Sequence, residues 1–131
     1  MPHSVATFLM FDGVAEKAMN LYVSIFPETT VTRLEKYAAG EQGAVGSIKR
    51  AHVRLKNHDL MFFDSPVKHA FNFTPSISLF VECESESEQA AAWEQLSIDG
   101  QVLMPLNNYG FSTRFGWVND RFGVSWQLNL Q

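Results

Sequence analysis

Local signals for one strand, one helix and three strands occur twice in this chain in the same order, and this repeat limits the folds that it can adopt. In the first half the predicted elements are a strand at 5–11, a helix at 14–25 and strands at 29–37, 47–55 and 60–63. In the second half they are a strand at 75–82, a helix at about 85–98 and strands at 101–106, 114–118 and 124–130. Alternating apolar residues and β-branched or aromatic residues predict the strands, and helical spacing of apolar residues predicts the helices.

This repeat predicts the fold class. Each half is too small to bury its own sheet face well, so two halves joined by residues 64–73 are expected to pack together. The prediction is an α+β fold of two βαβββ modules, at about 1–64 and 74–131, within a single domain that spans 1–131. Apolar residues make up 46 % of the chain and charged residues 18 %, which is typical of a packed globular protein.

Capping residues predict where the helices begin and end. Asp12 is expected to cap the first helix and Pro27 to end it. Ser85 and Glu88 form an S-x-x-E capping box at the start of the second helix. Gly100 is expected to supply the left-handed conformation that ends that helix.

Charge and cysteine content bound the partners and the compartment. The formal net charge is −4 and the sequence pI is about 5.5, so neither nucleic acid nor a membrane is an expected partner. Cys83 is the single cysteine, which excludes an internal disulfide and favours a reducing compartment. No signal peptide or membrane-spanning stretch is recognised. We therefore expect a cytoplasmic protein in which Cys83 is a buried structural thiol.

Four stretches carry a resemblance to a known family. They are FLMFDGVAEKAMNLYVSIFPET at 8–29, HVRLKNHDLMFFD at 52–64, TPSISLFVECESE at 74–86 and VLMPLNNYGFSTRFGWVNDRFGVSWQLNL at 102–130. They resemble the PhnB-like branch of the vicinal oxygen chelate superfamily, which includes glyoxalases, extradiol dioxygenases and bleomycin-resistance proteins. The resemblance implies a glyoxalase/bleomycin-resistance-type concave mixed sheet with the helices outside, and it implies a homodimer.

Members of this branch often carry the label demethylubiquinone methyltransferase domain, but the residues do not favour methyl transfer. A bound methyl donor such as S-adenosylmethionine usually lies at a Gly-rich turn between a parallel strand and a helix. The eight glycines form no such G-x-G motif. We therefore expect no methyl transfer, and the sequence leaves open whether the chain is an enzyme at all.

The resemblance also implies where metal ligands would lie, namely on the first and last strand of each module. These positions fall near Ala6, near Ser76, at Phe62 or Phe63, and at Gln127. Only Gln127 could bind a metal, and one neutral amide oxygen does not hold a divalent ion. We therefore predict no metal site and no cofactor, with an atypical divalent metal site as the alternative.

Two groups of residues are candidates for function. The ligand-binding candidates are Gln127, Tyr109, Asn108, Trp117, Trp126 and Phe62. For the aromatic residues among them the alternative is the hydrophobic core, and for the loop with Tyr109 it is closure of the sheet edge. The catalytic candidates are His52 and Asp64, which could form an acid–base pair; the alternatives are a surface histidine and a turn cap.

Three functional hypotheses follow. The first is a protein that binds a small molecule in the concave sheet without a typical metal centre. The second is an enzyme of the glyoxalase/dioxygenase superfamily with an atypical or metal-dependent site. The third is a dimeric structural or interaction module. The identity of the ligand is not predicted.

Overall fold

The computed structural model describes all residues from 1 to 131 as two compact units, Met1–His69 and Ala70–Gln131. The boundary lies inside the connection predicted at 64–73. In the first unit the elements are β1 (Thr7–Phe11), α1 (Ala15–Ile25), β2 (Thr29–Lys36), β3 (Ile48–Leu55) and β4 (His58–Asp64). In the second unit they are β5 (Leu79–Glu82), α2 (Glu86–Ser97), β6 (Gln101–Asn107), β7 (Arg114–Asn119) and β8 (Ser125–Leu130).

The two units have the same sheet topology. The strand order is β1-β4-β3-β2 in the first unit and β5-β8-β7-β6 in the second. The first strand of each unit pairs in parallel with the last, and the other neighbours are antiparallel. These two mixed sheets, each with one helix, confirm the predicted α+β fold of two βαβββ modules.

Each helix covers one face of its own sheet. In the first unit the rings of Tyr22 on α1 and Phe62 on β4 lie 5.9 Å apart. In the second unit Trp93 of α2 lies so close to Gly116 of β7 that a Cβ atom there would come within 2.5 Å of the indole. We call the sheet face turned away from the helix the open face. Because side chains alternate along a strand, each strand contributes every second residue to it.

The predicted helix caps have mixed outcomes. The capping box is confirmed, because Ser85 Oγ accepts from the backbone N–H of Glu88 at 3.1 Å. The prediction that Asp12 caps α1 is wrong. Val14 occupies the N-cap position without a side-chain bond, and the backbone N–H of Ala15 instead donates to Asp64 Oδ1 at 3.0 Å. The carboxylate of Asp64, at the end of β4, therefore caps the helix that begins 49 residues earlier.

The end of α2 also differs from the prediction. The left-handed conformation belongs to Asp99, with φ of 55°, and not to Gly100. Gly100 is required for a different reason, since a Cβ atom there would lie 2.4 Å from the backbone oxygen of Asn119. The close approach of two backbones therefore explains this glycine. No helix in residues 1–131 is long and apolar enough to cross a membrane.

Candidate functional site

The open face of the second unit brings together three of the six predicted ligand-binding side chains, namely Gln127, Trp117 and Tyr109. Strand pairing aligns Trp117 with Gln127 and Gln127 with Phe80. In the next row it aligns Phe115 with Asn129 and Asn129 with Glu82. Side chains that are paired in register project to the same side of a sheet. This face therefore combines aromatic rings, amides and one carboxylate.

A chain of hydrogen bonds fixes Gln127 in this face. The indole N–H of Trp117 donates to Ser125 Oγ at 2.8 Å, and the hydroxyls of Ser125 and Ser78 lie 2.7 Å apart. Nε2 of Gln127 donates to Ser78 Oγ at 3.1 Å. These bonds hold the amide in one orientation, and its Oε1 accepts no hydrogen bond from the protein. Gln127 therefore offers a positioned acceptor at the middle of the open face.

Four aromatic rings form a cluster beside Gln127. Phe115 lies at its centre and is buried, with ring centroids 6.4 Å from Phe80, 5.1 Å from Phe111 and 6.1 Å from Tyr109. The other three rings are exposed, at 54 % for Phe80, 59 % for Phe111 and 39 % for Tyr109. We call these four residues the aromatic cluster. Neighbouring exposed aromatic rings are a common feature of binding sites.

A carboxylate and an amide complete the face. Nδ2 of Asn129 donates to Oε1 and Oε2 of Glu82 at 3.2 and 3.0 Å. Asn129 is only 2 % exposed, and its Oδ1 is buried without a hydrogen-bond partner. A buried acceptor without a donor costs free energy. A hydrogen-bond donor at Oδ1 of Asn129 would therefore be stabilising.

The loop at 107–111 uses its polar groups on itself. Oδ1 of Asn108 accepts from the N–H of Gly110 at 2.8 Å, and the hydroxyl of Tyr109 donates to the carbonyl of Pro105 at 2.5 Å. The ring of Tyr109 remains available and stacks on Phe111 with centroids 6.3 Å apart. Asn108 and Tyr109 therefore shape the loop and place an aromatic surface, and the Tyr109 hydroxyl is not free to anchor a ligand.

Two ligand-binding candidates lie on helix-covered faces. Trp126 is fully buried, and its indole N–H donates to Oδ2 of the buried Asp120 at 3.0 Å. Phe62 is fully buried between Phe11 and Tyr22, with centroids 5.8 and 5.9 Å away. Both side chains pack in a core rather than along an open face, which is the alternative that the sequence left open.

The structure does not bring the two catalytic candidates together. His52 pairs with Met61 on the open face of the first unit, whereas Asp64 is buried on the helix-covered face. Both oxygens of Asp64 accept backbone N–H groups, from Ala15 at 3.0 Å and Ile48 at 2.8 Å. The pair is therefore absent as an acid–base unit, because alternation places the two side chains on opposite sides of the sheet.

The environment of His52 favours the neutral imidazole. Nε2 accepts from Arg50 Nε at 2.9 Å, which requires an unprotonated nitrogen. Burial lowers the pKa of His52, and the positive charges of Arg50 and Arg33 lower it further. The side chain is therefore a neutral acceptor beside a guanidinium group.

The residues present do not fit the metal centre that the resemblance implies. Ala6 and Ser76 precede β1 and β5, and Phe62 faces the helix. The open-face side chains of β1 and β4 are Phe8, Met10, Asp59, Met61 and Phe63, of which Asp59 is paired with Arg54 at 3.6 Å. No group of three or more His, Cys, Asp or Glu side chains in residues 1–131 could hold a metal ion.

Sequence reasoning missed several residues of the open face. They are Ser78, Phe80, Phe111, Glu82 and Asn129. Two-residue alternation along the last strand could have found one of them, Asn129. If Gln127 faces the open side, then Asn129 does so too, and a parallel neighbour must present every second residue of 79–82. Which alternate set it presents depends on the register, which the sequence does not specify.

Known proteins resemble this chain in sequence and in structure. The sequence model of the family described as 3-demethylubiquinone-9 3-methyltransferase matches residues 3–129. A PhnB protein from Bacillus cereus has 44 % identity and a TM-score of 0.95, with 98 % of this chain and 100 % of that chain covered. The protein YjdN of Escherichia coli (strain K12) is 23 % identical over 116 residues, which cover 88 % of this chain and 78 % of YjdN.

More distant structures share the fold. The fosfomycin resistance protein FosX from Listeria monocytogenes has a TM-score of 0.64 at 8 % identity, with 100 % of this chain and 94 % of that chain covered. At this identity the likeness concerns the fold alone. It supports the glyoxalase/bleomycin-resistance-type fold for the two modules.

Proposed function

The chain belongs to the family described as 3-demethylubiquinone-9 3-methyltransferase, in its PhnB-like form, and we propose that it binds a small amphipathic molecule on the open face of the second unit. The observation that carries the proposal is the aromatic cluster beside a positioned amide. Phe80, Tyr109 and Phe111 expose ring surface, and Gln127 presents a free acceptor on the same face.

The physical basis of binding is burial of aromatic surface with a small number of oriented polar contacts. A flat apolar body would lie against the exposed rings of Phe80 and Phe111, where each square ångström of apolar surface removed from water contributes roughly 25 cal/mol. Oε1 of Gln127 would accept a hydrogen bond from the ligand and fix its orientation. This binding needs no metal ion, and it needs no methyl donor despite the family description.

The test is a screen of amphipathic aromatic molecules by ligand-observed NMR, with affinities from calorimetry. Phe80→Ala and Gln127→Ala are expected to weaken each binder about five-fold or more, because one removes ring surface and the other the acceptor. Tyr109→Phe is expected to weaken binding less than Phe80→Ala does, since it keeps the ring and removes a hydroxyl that is bonded to Pro105 and not to the ligand.

Gln95→Ala is the matched control, because Gln95 is exposed on α2 at the helix-covered side of the sheet. An equal loss of affinity in Gln95→Ala and Gln127→Ala would place the site elsewhere. A screen without any binder that responds to Phe80→Ala would refute the proposal.

The proposal includes a homodimer in the cytoplasm. β1 and β2 are the edges of the first sheet, and they carry exposed apolar side chains at Phe8, Val31 and Leu34. Unpaired strand edges with apolar residues favour association with a second copy. The free, buried Cys83 is the support for a reducing compartment. Light scattering at micromolar concentration would contradict the dimer if it gave the mass of one chain.

A further inference from the structure

We propose that the ligand of this open face is an organic cation, with its charged nitrogen at Glu82 and its apolar body against the aromatic cluster. The inference rests on the proposed function and specifies the chemical class of the ligand. Three features of this face support it. Glu82 has no cationic partner, Oδ1 of Asn129 accepts no hydrogen bond, and aromatic rings lie close to both residues.

Glu82 is the acidic side chain of this face and has no cationic partner in the protein. Its two oxygens accept from the neutral amide of Asn129 at 3.2 and 3.0 Å, and it forms no ion pair. Other acidic side chains of the chain, such as Asp59 and Glu86, lie within salt-bridge distance of an arginine. Glu82 is exposed at the end of β5, so its negative charge is available to a ligand.

Asn129 adds a second acceptor in the same row. Its amide nitrogen is committed to Glu82, and its Oδ1 is buried and accepts no hydrogen bond. A carboxylate and a carbonyl oxygen in one cross-strand row both require donors. A protonated amine or an amidinium group supplies such donors together with the complementary charge, whereas a carboxylate or phosphate ligand would be repelled.

The aromatic surroundings distinguish an organic cation from a metal ion. Phe80 precedes Glu82 by two residues on the same face, so the two Cα atoms are about 7 Å apart. Phe115 lies in the row of Asn129 and Glu82 and contacts Phe111, with centroids 5.1 Å apart. Phenyl rings give a metal ion no oxygen ligands, but their faces attract organic cations and bury the attached apolar groups. The net charge of −4 favours the same class of ligand.

The test uses three probes that differ only in the head group: phenylpropylamine, phenylpropanol and phenylpropanoate. Calorimetry gives their affinities for the full chain, and the indole NMR signal of Trp117 reports whether binding occurs at the open face. We expect the amine to bind roughly five- to ten-fold more tightly than the alcohol, and the carboxylate to bind most weakly.

Two charge-neutralising variants make the test specific. Glu82→Gln is expected to abolish the advantage of the amine over the alcohol, because it removes the charge and keeps the shape. Glu94→Gln removes an equal charge from the exposed surface of α2 and is expected to preserve the advantage. The preference of the amine should also fall with added salt.

The outcomes separate the inference from the proposed function. Equal binding of all three probes at Trp117 would refute the cation and leave small-molecule binding in place. An advantage of the amine that persists in Glu82→Gln, or that disappears equally in Glu94→Gln, would also refute the role of Glu82. Absence of binding by every probe, together with a negative screen of amphipathic molecules, would refute both.

Discussion

Replacement of Asp64 tests whether its buried carboxylate stabilises the fold by linking α1 to β3. Asp64 is 2 % exposed, and its two oxygens accept from the backbone N–H groups of Ala15 and Ile48. The first bond caps α1 and the second holds the start of β3. Asp64→Ala would leave both N–H groups without an acceptor, and Asp64→Asn would keep one acceptor but turn an NH₂ group towards the other N–H.

The magnitude follows from these two bonds. Loss of a helix N-cap costs about 0.5–2 kcal/mol, and a buried N–H without a partner costs about 1–3 kcal/mol. Asp64→Ala is therefore expected to lower the free energy of unfolding by about 2–4 kcal/mol. Asp64→Asn should lose about half as much or slightly more, since one bond survives.

Asp59→Asn is the matched control, because Asp59 is half-exposed and its pair with Arg54 at 3.6 Å lies at the surface. Such a pair contributes under about 1 kcal/mol. Urea unfolding gives the free energies, and hydrogen exchange should show faster exchange at the amides of Ala15 and Ile48 in Asp64→Ala. If Asp64→Ala is no less stable than Asp59→Asn, or if neither amide exchanges faster, the carboxylate does not stabilise the fold by linking α1 to β3.

Three further predictions concern single side chains. The pKa of His52 lies below its ordinary value of 6.5 because of burial and the charge of Arg50, so the contribution of His52 to stability falls as the pH drops below 6.5. Arg50→Gln should raise this pKa in an NMR titration, and an unchanged value would contradict the assigned cause. Burial, followed by the charges of Glu88 and Glu82, raises the pKa of Cys83 to about 11, so iodoacetamide at pH 8 should alkylate the unfolded chain and leave the folded chain unmodified. Phe62→Ala should cost about 3–5 kcal/mol of unfolding free energy, whereas the exposed Phe80→Ala should cost under about 1 kcal/mol; similar losses would show that the two faces of the sheets are assigned incorrectly.

The order of the helices and strands can be predicted from local sequence patterns. Ten helices and strands occur in the predicted order, although β5 begins at Leu79 and not at residue 75, and the Ser85–Glu88 capping box begins α2 as expected. These features depend on residues close in sequence, so local patterns are sufficient to predict them. The same holds for the relation to the PhnB-like family, because its most specific stretches are continuous.

Tertiary contacts determine which side chains share a face and which polar groups form hydrogen bonds. Trp126 and Gln127 are neighbours in sequence, yet one packs in the core and the other lies on the open face. Asp64 caps a helix 49 residues away, and Glu82 meets Asn129 across parallel strands. The physical reason is that a shift of register by one residue exchanges the two faces of a strand, and register is fixed by contacts between segments that are distant in sequence.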